Sequence, residues 1–146
     1  MRQAIQDLDA KQLEEVERLV KMFEKMCFDS IRLGDLKANL HEVEPIMRNS
    51  DFLNFDISSI QHQHASANIY SSPNGLTGEE ACAIMRYAGL SDKITSVGIF
   101  EYNQNLDVNG QTAFLLAQMI WYFIEGFIFR KNELNPNIKL CSKYTV

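Results

Sequence analysis

Apolar positions recur along this chain with two different periods, and the alternation between them predicts its elements. From Ile5 to Cys27 they fall at Ile5, Leu8, Leu13, Val16, Leu19, Val20, Phe23, Met26 and Cys27, mostly three or four residues apart, as one face of a helix requires. Glu14 with Arg18 and Glu17 with Lys21 stand four apart in the acid-before-base order that supports a solvated helix face. Gly34 predicts a break before a shorter helical segment from Leu36 to Arg48, where Pro45 lacks a backbone donor and limits regularity. Asn49, Ser50 and Asp51 predict a turn. Phe52 to Ile57 is a short apolar run of the kind found in strands covered on both faces, and Ser58 to Ser72, with its string QHQHASAN, is a polar loop. After a turn at Pro73, Asn74 and Gly75, the spacing of Thr77 and Glu80 predicts a capping box and a helix from Gly78 to Ala88, with Gly89 as its left-handed stop. Thr95 to Tyr102, rich in β-branched and aromatic residues, predicts a second strand. Asp107 to Gly110 turn the chain into a long helix over Gln111 to Lys131, and the tail from residue 133 to 146 is expected to be irregular.

Strands alternating with helices imply an α/β layer with a parallel sheet. Two strands make a poor sheet, because both outer edges expose unpaired backbone groups, so something else is expected to complete it. A length of 146 residues suits one domain, its first 30 residues or so forming an amphipathic helix.

Composition narrows the function classes. A hydrophobic share of 46% with 23% charged residues is that of a folded, water-soluble protein. The net charge of −5 and the lack of clustered Lys and Arg argue against nucleic acid and anionic membranes as partners. Cys27, Cys82 and Cys141 are odd in number, far apart and without CxxC spacing, which reads as free thiols in a reducing compartment. The polar N-terminus has no apolar core of a secretory signal, so a cytoplasmic location is expected. The stretch from 112 to 129 is long enough to span a bilayer. Glu125 inside it would cost about 2.5 to 3.5 kcal/mol, and Gln118 adds to that. The expectation is a core helix with both residues on its outer stripe, supported at its C-terminal end by Arg130 and Lys131.

Several strings resemble a known family. FLNFDIS, SPNGLTGEEACAIMRYAG, SVGIFEYNQNLDVNGQTA and LLAQMIWYFIEGF look like the C-terminal half of the ureohydrolases, the group of arginase, agmatinase and formimidoylglutamase. MCFDSIRLGDL and LHEVEPIMRNSDF extend the correspondence backwards, and the formimidoylglutamase-like branch is the most similar. The resemblance covers residues 23 to 132. It implies a partial three-layer arginase-like α/β fold, with residues 31 to 132 as the ureohydrolase-like half, and in the family a pair of Mn²⁺ ions at the C-terminal ends of the strands. There a metal-bridging hydroxide attacks a guanidino or formimino carbon of a small-molecule substrate. Two hard dications need mainly carboxylate ligands, and strand ends hold these at fixed positions.

Carried over position by position, the family's strand motif Ser-Phe-Asp-x-Asp reads here Asn54, Phe55, Asp56, Ile57, Ser58. Asp56 matches the first metal ligand. Ser58 stands where the second carboxylate would be, two residues on and projecting to the same side, and a neutral hydroxyl is a much poorer ligand. The family's upstream Gly-Gly-Asp-His and Asp-x-His-x-Asp strings do not occur. At most one of the usual ligands remains, so the chain is expected to hold no Mn²⁺ by itself and to be a family segment, truncated and catalytically incomplete, with no catalytic residue of its own. Glu101, in FEYN, matches the family's position for pairing with the cationic guanidinium or formimino end of the substrate; a solvated strand-end carboxylate is the other reading. The expected partner is either a second copy in a homo-oligomer or the missing N-terminal half.

Other constellations are weaker. His62 and His64 form an H-x-H pair, but two imidazoles make no metal site and only His41 remains in the chain. There is no GxSxG elbow and no phosphate-cradling glycine loop. The stripe from Met119 to Ile128 reads as core. An exposed apolar surface with the amphipathic N-terminal helix leaves a non-catalytic oligomerisation or binding module as an alternative function.

Overall fold

The structure is a computed structural model that describes residues 10–26 and 30–130. The chain divides into two compact units, Met1–Arg32 and Leu33–Val146. In the first, helix α1 spans Ala10–Lys25, inside the range predicted from its apolar spacing. Arg18 pairs with Glu15, 3.0 Å away and one turn back, in place of Glu14, and both ends of this pair are exposed, where it contributes little.

The second unit begins with two short helices, α2 (Leu33–Ala38) and α3 (Val43–Asn49), joined by a 3₁₀ turn at Leu40–Glu42. Gly34 lies inside α2 and does not break it. Pro45 falls in the first turn of α3, where the missing N–H has no intrahelical partner to lose; the single helix expected over this region is therefore two. Strand β1 (Phe52–Asp56) leads into a 3₁₀ turn at Ile57–Ser59. Helix α4 (Gly78–Leu90), strand β2 (Ser96–Phe100) and helix α5 (Gln111–Ile128) complete the order. The tail expected to be irregular lies outside the described residues.

The strands pair in parallel, Phe52 opposite Ser96 through Asp56 opposite Phe100, with α4 as the crossover that parallel neighbours require. A single bridge, Ile60 to Leu76, ties the two ends of the connecting loop together. Among the described residues the sheet has two strands, and its surfaces are not covered as the apolar runs predicted: Phe52 and Phe100 remain 52% and 47% exposed. Among the described residues neither outer edge has a partner strand.

The core lies between the sheet, the loop and one side of each of α4 and α5. Ile57, Ile60, Met85 and Met119 are almost wholly buried, and Val43 and Leu76 join the same cluster. Each such side chain contributes about 1.5 to 3 kcal/mol. The capping box forms as its spacing predicts: Glu80 N–H donates to Thr77 Oγ1 at 3.2 Å, and Thr77 N–H donates to Glu80 Oε2 at 2.7 Å.

Gly89 does not end α4. It is helical, and the chain continues to Leu90 with Ser91 as cap. Its lack of a side chain serves packing: a Cβ there would sit 2.2 Å from the Phe123 carbonyl oxygen, and one on Gly126 would sit 2.4 Å from that of Arg86. The two glycines let α4 and α5 touch backbone to backbone. Arg130, expected to act on the end of α5, instead donates to the Gly89 and Ile94 carbonyls at 2.8 and 2.9 Å and lies over the Phe127 ring. Among the described residues no helix is long and apolar enough to cross a membrane.

Candidate functional site

In a parallel sheet the strand ends that follow the direction of the chain gather on one edge, where ligands of α/β folds bind. Asp56 and Glu101 both reach that edge. Asp56 is the last residue of β1, in register with Phe100, and Glu101 is the next residue after Phe100. The sequence-matched carboxylates therefore end adjacent strands one position apart, and both are exposed.

Asp56 has a local task. Its Oδ1 accepts from Ser58 N–H at 2.8 Å, capping the 3₁₀ turn, while its carbonyl accepts from Ser59 Oγ at 2.6 Å. The turn begins at Ile57, so Ser58 is not the next outward residue of an extended strand. The alternation that would project two ligands to the same side stops at Asp56.

Glu101 has a backbone φ of 69°, the left-handed region that a residue with a side chain occupies at a cost of about 1 kcal/mol or more. The surrounding bonds hold it there. Asn68, only 4% exposed, donates through Nδ2 to the Glu101 carbonyl at 2.9 Å. The same loop is fixed at Ala67, whose N–H donates to Thr112 Oγ1 at 3.1 Å and whose carbonyl accepts from Asn103 N–H at 2.9 Å. Asp107 anchors the start of α5, accepting from Thr112 and Ala113 N–H at 2.9 and 3.0 Å and from the Tyr102 hydroxyl at 3.0 Å. Desolvation raises the Asp107 carboxyl, but these bonds outweigh it and leave the group below its ordinary range. Desolvation and the Asp107 carboxylate raise the Tyr102 phenol.

The two histidines go separate ways. His62 Nδ1 lies 2.8 Å from Ser71 Oγ, closing the loop, whereas His64 lines the groove between α4 and α5. Among the described residues no three His, Cys, Asp or Glu side chains are grouped to hold a metal ion. At the strand edge the donor set is one carboxylate already bonded to a backbone amide, a neutral hydroxyl and Glu101. That set does not fit a pair of hard dications, which need several anionic oxygens. Cys82 is buried, and burial pushes its thiol up, which suits an inert core residue.

Asn68, Thr112 and Asp107 were not singled out by sequence reasoning. An Asn in a polar loop carries no local signal of a bond to a strand end 33 residues away. Asp107 had one, an acid shortly before a helix start, and it was read only as part of a turn.

A parallel β-α-β unit with two acids at the C-terminal strand edge defines an α/β scaffold with its open edge where such folds bind ligands. The sequence matches the Arginase family over residues 3–125, and the chain belongs to that family. Solved structures agree on the fold. The formiminoglutamase of Trypanosoma cruzi with Mn²⁺ superposes with a TM-score of 0.71 at 16% identity, over 76% of this chain and 40% of that one. The formimidoylglutamase of Bacillus subtilis gives 0.66 at 17%, over 74% and 36%, and the arginase of Bacillus caldovelox 0.63 at 18%, over 73% and 38%. The chain thus spans about two-fifths of the length of the structures it matches. No curated protein matches the sequence.

Proposed function

We propose that this chain is a formimidoylglutamase-like segment of the arginase family that does not catalyse hydrolysis by itself. The observation that carries the reading is the strand-end donor set: Asp56 caps its own turn through Ser58 N–H, and Ser58 offers a hydroxyl where a second carboxylate would be needed to hold Mn²⁺. Among the described residues no three His, Cys, Asp or Glu side chains are grouped to hold a metal ion. Glu101 keeps a role open to its chemistry. An exposed carboxylate held at a strand end by Asn68 suits charge pairing with a guanidinium or formimino cation. Free Cys82 and the acidic composition favour a cytoplasmic setting.

The test is an assay of the purified chain with Mn²⁺ against arginine, agmatine and formiminoglutamate, following urea, formamide or ammonia. The reading expects background rates with all three; turnover that is lost in Asp56→Asn overturns it.

A second reading has its own support. The unpaired strand edges and the exposed Phe52 and Phe100 suit completion of the sheet by another polypeptide that brings carboxylates and strands. Activity appearing on addition of a candidate N-terminal family fragment, and absent from either part alone, distinguishes it from the first.

A further inference from the structure

The free edge of β2 and the point at which the chain leaves α5 lie at the same end of the sheet. Helices α4 and α5 cover one sheet face, on which Leu53, Phe55, Val97 and Ile99 pack against the cluster that holds Met85 and Met119. There Phe55 of β1 is buried, whereas Val97 and Ile99 of β2 are only half-buried, so the cover thins toward β2. Helix α4 packs against both α3 and α5, and those two share no comparable contact; the layer therefore runs α3, α4, α5 in chain order. Arg130, just past the end of α5, donates to the Gly89 and Ile94 carbonyls, and Ile94 stands just before Ser96, where β2 begins. A strand that starts from there runs parallel to β2.

The sequence that follows Arg130 suits such a strand. Mixed in composition, residues 138–146, IKLCSKYTV, nonetheless alternate. Ile138, Leu140, Tyr144 and Val146 share one side, interrupted by Ser142, and Lys139, Cys141, Lys143 and Thr145 share the other, the period of a strand with one covered face. Pro136 between two asparagines marks a turn before it. Residues 131–137 are long enough to cross from the helix layer to the sheet, in a connection close to the common length of about 2 to 6 residues. Two lysines and no acid give the segment the charge with which edge strands are kept from pairing further.

We propose that residues 138–146 add to the free edge of β2 as a third parallel strand, with their apolar side toward the helix layer and their lysines on the open face. Handedness selects the edge. A β-α-β crossover is right-handed in about 98% of cases. The two crossovers share one helix-covered face, so they step across the sheet in the same direction, from β1 to β2 and from β2 to the tail. The positive segment also joins a chain whose net charge is −5. The outer edge of β1 is then the one left for another polypeptide, and Glu101, at the end of β2, gains a neighbouring strand.

Nuclear magnetic resonance of the full chain tests this without any substitution. The expected result is extended-backbone carbon shifts over residues 138–144 and cross-strand proton contacts between the tail and residues 96–100. Tail amides should exchange at least about tenfold more slowly than those of an unstructured chain, and dilution should change none of this. Leu140→Asp should return the tail to unstructured rates and speed exchange of the β2 amides not bonded to β1, with α4 unaffected; Lys139→Gln, on the open face, should do neither. An unprotected or helical tail overturns the inference, as does protection indifferent to Leu140→Asp. Protection that fades on dilution overturns it as well, because it assigns the edge to a second copy.

Discussion

Replacing Gly126 by Ala tests whether the α4–α5 contact is as close as the structure places it. Two effects oppose each other. Alanine in a helix interior is favoured over glycine by about 1 kcal/mol. Against this, the new Cβ would lie 2.4 Å from the Arg86 carbonyl oxygen and 3.0 Å from the Gly89 Cα, both backbone atoms that no rotamer change can move. Helix α5 must shift outward, and overpacking of this kind costs about 1 to 3 kcal/mol, more where backbone is involved. The net expectation is a loss of roughly 1 to 2 kcal/mol. Two other glycines serve as controls. Gly34 in α2 has nothing within 4 Å of its Cβ position, so Gly34→Ala should gain up to about 1 kcal/mol. At Gly98 a Cβ would meet the Phe100 ring at 2.4 Å, but that ring is 47% exposed and can turn away, so Gly98→Ala should be near neutral. Urea unfolding followed by far-ultraviolet circular dichroism gives the three midpoints. If Gly126→Ala unfolds at the same urea concentration as Gly34→Ala or above it, the helices are not packed as described and the argument fails.

Other substitutions probe the ties around the site. Arg130→Ala leaves the Gly89 and Ile94 carbonyls without their charged donor and should cost about 1.5 to 3 kcal/mol; an unchanged urea midpoint would show that solvent replaces it. Asn68→Ala removes the bond that holds the Glu101 carbonyl and should speed amide hydrogen exchange of residues 67 to 70 and of Asn103 more than that of α4; uniform protection would contradict the positioning role. Acid should weaken the fold through two carboxyls. Desolvation raises Glu80, but the Thr77 amide and Lys37 more than offset it, and Asp107 is likewise lowered. Both therefore titrate at lower pH when folded than when unfolded. The stability they supply is present above the ordinary carboxylate range near pH 4 and is lost as pH falls through their folded values. Asp107→Asn should flatten the acid limb of a midpoint-against-pH curve, and an unaltered slope would count against the Thr112 and Ala113 bonds.

What the sequence made legible was local. Thr77 and Glu80 announce the start of α4 because a capping box is closed by residues three apart, and the apolar runs of β1 and β2 need only their own composition. The misreadings arose where the cause lay elsewhere in the chain. Gly89 near a helix end has the form of a stop, but its reason is Gly126 on another helix. Pro45 looked like a general limit on a helix whose actual break, at Asn39, placed it harmlessly in a first turn. The strands read as buried because apolar runs normally are, and Phe52 and Phe100 are exposed because nothing among the described residues lies over them. At the site, Asp56 and Glu101, singled out through the family resemblance, end adjacent strands at one sheet edge. The turn that begins at Ile57, the left-handed backbone of Glu101 and the Asn68 bond depend on loop contacts that no short string encodes.

The central claim is that the strand edge of this chain lacks the anionic oxygens for a metal pair. Calorimetric titration of the full chain with Mn²⁺, alongside Ser58→Asp, addresses it most directly. The account predicts no saturable two-ion binding by the natural sequence, and at most a gain in weak single-ion affinity on adding the second carboxylate. Two Mn²⁺ ions bound tightly per chain, and lost in Asp56→Asn, would contradict it.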